Sequence, residues 1–102
     1  MQNFRSEATD RLFRAVLQLK TVEECSDFFE DICTVTEILD MSQRLSAAIL
    51  LDRGVSYQKI ASTVGLSTAT ISRVSKCLNY GSGGYRTVID RLKSAEGSSD
   101  ER

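Results

Sequence analysis

Residues 56–78 read SYQKIASTVGLSTATISRVSKCL, a stretch with the pattern of two short helices folded over a tight turn. Ile60, Ala61 and Val64 stand at i, i+1 and i+4, the spacing of one apolar helix face. Gly65 follows at once and stops the first helix, because glycine takes a positive φ at least steric cost. Leu66 plugs the turn, and Ser67 is a good N-cap for a second helix. Ile71, Val74 and Leu78, at i, i+3 and i+7, give that helix its own apolar face. The small Ala61 lets the pair cross closely. Two helices joined by a short Gly-containing turn carry the signature of a helix-turn-helix.

The outward face of the second helix points to a use. At about 100° per residue, Thr68, Ala69, Ser72, Ser75 and Lys76 fall within one third of its circumference, opposite Ile71 and Val74. They are small or polar, and one is cationic. A helix entering the DNA major groove needs short side chains near its N-terminus, with hydroxyls or methyls to meet base edges. The candidate DNA-facing set is Tyr57, Gln58, Ser67, Thr68, Ala69, Thr70, Ser72, Arg73 and Lys76. The competing interpretation is an ordinary helical hairpin with a solvated face. DNA is favoured because Ala61, Gly65, Leu66 and Ile71 all stand where a helix-turn-helix needs them.

A net charge of −1 over 102 residues is not that of a uniformly basic nucleic-acid binder. Its distribution is uneven, however. Residues 1–52 carry five Lys/Arg against ten Asp/Glu, whereas residues 53–93 carry seven against Asp90 alone. The positive segment coincides with the helix pair, where phosphates would be met, and the acidic one should face away.

The three cysteines, Cys25, Cys33 and Cys77, form no C-x-x-C pair, and their odd number argues against a closed disulfide set. There is no histidine, so a Cys₂His₂ zinc site and a Cys–His nucleophile are both excluded. No metal or cofactor is called for. Three thiols serving as small apolar residues in a reducing cytoplasm suffice. No apolar run approaches the ~20 residues of a membrane span. With no paired carboxylates either, nothing in the chain supports an enzyme.

The remaining segments predict helices throughout. Residues 1–6 make a loose start, and Ala8, Leu12, Ala15, Val16 and Leu19 trace a helical stripe from Glu7 to Lys20. Thr21 with Glu24 and Thr34 with Glu37 are T-x-x-E capping boxes opening two further helices. The second of these runs through Ile38, Met41, Leu45, Ala48, Ile49 and Leu51 to Arg53, where Gly54 stops it. Ser56 caps the first helix of the central pair. Three glycines in residues 81–84 break the chain after Leu78 before TVIDRLK (87–93) resumes helical spacing. The expected organisation is a single domain over 1–93, with the helix-turn-helix at about 56–78 and a disordered polar tail over 94–102.

The stretches MSQR (41–44), LLDRG (50–54) and the central pair resemble the Trp repressor superfamily, with A-T-I-S-R (69–73) the most specific part. CTVTE (33–37) and GGYRTVIDRL (83–92) resemble its YerC/YecD-like branch. The resemblance implies an all-α, six-helix protomer that exists as an intertwined homodimer, its two helix-turn-helix units projecting from one side. It also implies a possible effector pocket at Thr34, Arg44, Arg73, Val74 and Cys77. In the Trp repressor two arginines flank the indole and a threonine holds the amino acid, and Arg44, Arg73 and Thr34 match those positions. Val74 stands where a glycine leaves room for the indole, and Cys77 where a serine meets the amino group. A β-branched side chain where space is needed, and a lost hydroxyl, argue against tryptophan.

The expected function is that of a cytoplasmic, homodimeric transcriptional regulator, a repressor, binding a palindromic operator on double-stranded DNA. The rivals are a repressor gated by another small molecule and a helical dimerisation or adaptor protein without DNA function.

Overall fold

The computed structural model describes residues 3–100. Six helices follow one another: α1 (Glu7–Val16), α2 (Val22–Ile32), α3 (Val35–Asp52), α4 (Tyr57–Val64), α5 (Thr68–Tyr80) and α6 (Gly84–Asp100). No strand occurs among the described residues, as an all-α chain requires. Two compact units are distinguished, one through Ile38 and one from Leu39 onward, where the sequence predicts a single domain.

In the first unit, local caps define the helices. The start is tied down rather than loose. Ser6 accepts the Thr9 N–H at 3.1 Å while its own N–H donates to Thr9 Oγ1 at 2.8 Å, a reciprocal box with threonine in the place of glutamate. Arg5 Nε meets Asp10 Oδ1 at 2.7 Å, and the Phe4 and Phe13 rings stack edge to face. The first helix ends at Val16, four residues short of the predicted Lys20. Gln18 and Leu19 there donate to the carbonyls three residues back, a tightening that closes the helix. Thr21 caps α2, although Glu24 bonds the Lys20 N–H and not that of the cap. Thr34 and Glu37 form the complete box opening α3.

The second unit holds the core. Ala47, Ala48, Ile60, Ile71, Val74 and Ile89 are buried, and Leu50, Leu51, Val64, Leu66, Leu78 and Tyr85 pack around them. Gly54, at φ +82°, ends α3. The Val55 N–H reaches the Leu50 carbonyl and the Gly54 N–H that of Leu51, the paired bonds of a Schellman motif.

The last helix is longer than expected. It extends past Lys93 to Asp100, across most of the stretch predicted as a disordered tail; residues 101–102 lie outside those described. Nothing in residues 94–100 breaks a helix already nucleated, since proline is absent and each added residue contributes a bond.

This helix is clamped to the end of α3. Asp52, with its side chain 12% exposed, meets Arg86 Nη2 at 2.7 Å through Oδ1 and Lys93 Nζ at 2.7 Å through Oδ2. Hydrogen bonds from Arg86 and then Lys93 hold its carboxyl down at about 2, against the opposing effect of burial. A depressed folded-state pKa means that the clamp is fully formed above pH 4 and is lost as pH falls through about 2. Asp52→Asn should therefore lower the melting temperature at neutral pH, and the gap to the unmodified protein should close on acidification between pH 4 and 2. Thermal scans across that range check this; a gap independent of pH would show that the clamp adds nothing through its charge.

Candidate functional site

The second unit presents α4 and α5 as a pair joined by residues 65–67. Ser56 caps α4 by accepting the Lys59 N–H at 3.2 Å, and Ser67 caps α5 by accepting that of Thr70 at 3.1 Å. Gly65 sits in the left-handed region at φ +85° and donates its N–H to the Ala61 carbonyl at 2.9 Å. Gln43 Nε2 from α3 donates to the Val64 carbonyl at 3.2 Å. That bond takes up a carbonyl the end of α4 leaves open, and it fastens the turn to α3.

Burial sorts α5 into two faces. Ile71 and Val74 are inside, Val74 being 3% exposed. Thr68, Ala69, Ser72, Arg73 and Lys76 are exposed, so the predicted outer edge is free of packing duties. Thr70 is half-buried, and its hydroxyl takes bonds from Ser67 Oγ and, at 3.4 Å, from Arg73 Nη2. Tyr57 and Gln58 are exposed on the first turn of α4. Of the seven cations in residues 53–93, Arg86 and Lys93 are held by Asp52. Arg53, Lys59, Arg73, Lys76 and Arg91 have no ion pair among the described residues.

The residues proposed for an effector pocket part company. Thr34 is the N-cap of α3, its hydroxyl accepting from the Glu37 N–H. Arg44 on α3 and Arg73 and Cys77 on α5 are exposed, whereas Val74 belongs to the core. Cys25 and Cys77 are exposed and Cys33 half-buried, so no thiol is a core residue as the sequence suggests.

Tyr85, at the start of α6, went unnoticed in the sequence. It is half-buried against the core. Burial pushes its phenol upward; Arg44 opposes the rise, and Cys77 adds to it. Tyr85 thus lies within electrostatic reach of groups on both α3 and α5. Its one advance signal is its place four residues before Ile89, on the same helix face. Gln43 and Asp52 carried no local signal at all.

Among the described residues no helix is long and apolar enough to cross a membrane, and no cluster of His, Cys, Asp or Glu is placed to hold a metal. The family model described as Trp repressor protein matches residues 7–93. The chain is 45% identical over 102 residues to the uncharacterized protein YerC of Bacillus subtilis (strain 168), covering 100% of this chain and 98% of that one. The solved structure of a TrpR like protein from Eubacterium eligens ATCC 27750 is 50% identical with a TM-score of 0.83, covering 86% of this chain and 91% of that one. A Staphylococcus aureus structure is 46% identical, also at TM-score 0.83, covering 86% and 88% of the two chains. With the six helices, the buried and exposed faces of α5 and these likenesses in agreement, the chain belongs to the Trp repressor family.

Proposed function

We propose that the protein is a cytoplasmic, homodimeric, sequence-specific DNA-binding repressor that reads a palindromic operator with α5 and acts without tryptophan. The observation that carries this is the division of α5. Its inner face is locked by Ile71 and Val74, and its outer edge offers Thr68, Ala69, Ser72, Arg73 and Lys76. The helices α4 and α5 act as a helix-turn-helix, with α4 lying across the phosphate backbone through Tyr57 and Gln58. Arg53, Lys59, Lys76 and Arg91 supply unpaired positive charge beside it, whereas Arg86 and Lys93 are spent on Asp52. Membership of the Trp repressor family supports the same function. The absence of tryptophan rests on Val74, whose side chain fills its space as part of the core.

The test is retention on duplex DNA as a function of salt. Lys76→Ala should weaken binding to all sequences about equally and flatten the salt slope by about 1, as loss of one phosphate contact does. Thr68→Ala and Ser72→Ala should instead change which bases are preferred. An unmodified protein that random and selected duplexes fail to retain at low salt would reduce it to a helical adaptor. Unchanged affinity and slope in Lys76→Ala would mean that α5 is turned the other way.

A further inference from the structure

We infer that Tyr85 is the positioning residue for the reading helix: its ring is a built-in wedge that sets the angle of α5 on α3. This rests on the DNA-reading role of α5 proposed above.

The placement follows from helix geometry. Arg44, Ala47 and Ala48 stand at i, i+3 and i+4 on α3 and so share a face, and Val74, Cys77 and Leu78 do the same on α5. Those faces include the buried Ala47, Ala48 and Val74, whose side chains are short. Two helices facing each other through alanines and a valine leave room for a planar group. Tyr85 packs on that cluster, four residues before the buried Ile89 and on its face of α6. It also interacts with Arg44 and Cys77, which lie one turn from the alanines and the valine respectively.

The connection leading to Tyr85 sets little by itself. It is Gly81–Ser82–Gly83–Gly84, with Gly83 at φ +88° and open space where a Cβ would stand at Gly83 and at Gly84. Tyr85 is the first side chain after this hinge that packs, so it fixes how α6 meets α5. Its hydroxyl makes no hydrogen bond among the described residues, which leaves shape, and not polarity, as what the ring contributes.

The ring is thus a protein side chain doing the bracing that a bound planar molecule would otherwise do. Removing it should free α5 to rock and should open a slot fitted to a phenol.

The experiment compares the full-length protein with Tyr85→Phe, Tyr85→Leu and Tyr85→Ala, using a duplex selected by the unmodified protein. The added probes are p-cresol, the excised side chain, and free tryptophan. Tyr85→Phe should keep its DNA affinity within about twofold. If Tyr85→Ala holds α5 in the reading position one-tenth of the time, its affinity should fall about tenfold. Millimolar p-cresol should recover most of that loss and raise the melting temperature of Tyr85→Ala. Neither p-cresol nor tryptophan should shift the unmodified protein.

Full DNA affinity in Tyr85→Ala would overturn the proposal, as would a loss that p-cresol leaves untouched in both affinity and melting temperature. A tryptophan-induced shift in the unmodified protein would overturn it too, because the slot would then be open. Should Tyr85→Ala not fold, Tyr85→Leu decides: it restores bulk without the flat ring, so unimpaired DNA binding there refutes the wedge. Should the unmodified protein bind no DNA, the function proposed above fails. The p-cresol shift in Tyr85→Ala still decides whether the slot exists.

Discussion

Replacing Ile71 by alanine should lower the unfolding free energy by about 2–5 kcal/mol, the cost of deleting a large buried aliphatic group and leaving a cavity. Ile71 is fully buried in the first turns of α5 and shares its cluster with Ile60, Val74 and Ile89. Two of the remaining members are alanines, Ala47 and Ala48, too short to swing into the gap. The upper part of the range therefore applies. Single domains hold only about 5–15 kcal/mol in total, so the variant should be marginal at physiological temperature. Urea unfolding followed by circular dichroism measures this as a lower midpoint at unchanged slope. Ser72→Ala, one residue along on the exposed edge, should stay within about 0.5 kcal/mol of the unmodified protein. Reversed costs for the two variants would mean that the inner and outer faces of α5 are exchanged, and the proposed DNA-reading edge would fall with them.

That contrast also marks how far residue patterns carry. Ser56, Ser67, Gly54, Gly65 and the Thr34–Glu37 box were legible because a cap or a stop is written within four residues. The two faces of α5 were legible for the same reason: helical periodicity is local. The Ser6–Thr9 box escaped because a threonine performed the reciprocal bond usually assigned to Glu or Gln. Contacts between distant segments escaped altogether. Gln43 and Val64 are 21 residues apart, and Asp52 and Arg86 are 34 apart. Nothing in the intervening chain singles out either pair, since each depends on how α3 is aimed after its caps have been satisfied. The length of α6 was misjudged on composition, since Ser94, Ser98 and Ser99 are weak helix formers but do not terminate a helix. For the candidate site, the exposed edge was visible in advance, but Tyr85 was hidden among the residues after a glycine turn. Its importance comes from what α3 and α5 leave empty beside it, and short side chains announce no partner.

The second large effect concerns assembly. Leu17, Val22, Ile32, Val35 and Leu39 are all more than half exposed, with Val22 reaching 80%. Within the first unit, α2 and the first residues of α3 line an open groove of about 590 Å³ through Val22, Cys25, Phe29, Val35 and Ile38. So much exposed apolar surface on a chain of 102 residues is the mark of a subunit interface. Its occupant in a homodimer is the same surface of a second copy, because a two-fold interface is self-complementary. Val22→Glu combined with Val35→Glu is a clean way to break it. Each is the first residue of its helix, where an acid favours the helix dipole, so the helices themselves should survive. The unmodified protein should sediment as a dimer, with a melting temperature that rises with concentration. The double variant should sediment as a monomer. Its affinity for a two-half-site operator should drop about a hundredfold to ten-thousandfold, because the second reading helix no longer arrives at high effective concentration. Binding to a single half-site should change far less, since α5 is untouched. A double variant that remained dimeric with unchanged operator affinity would place the subunit interface elsewhere. An unmodified protein that sedimented as a folded monomer at micromolar concentration would leave a palindromic operator without the symmetric reader it requires.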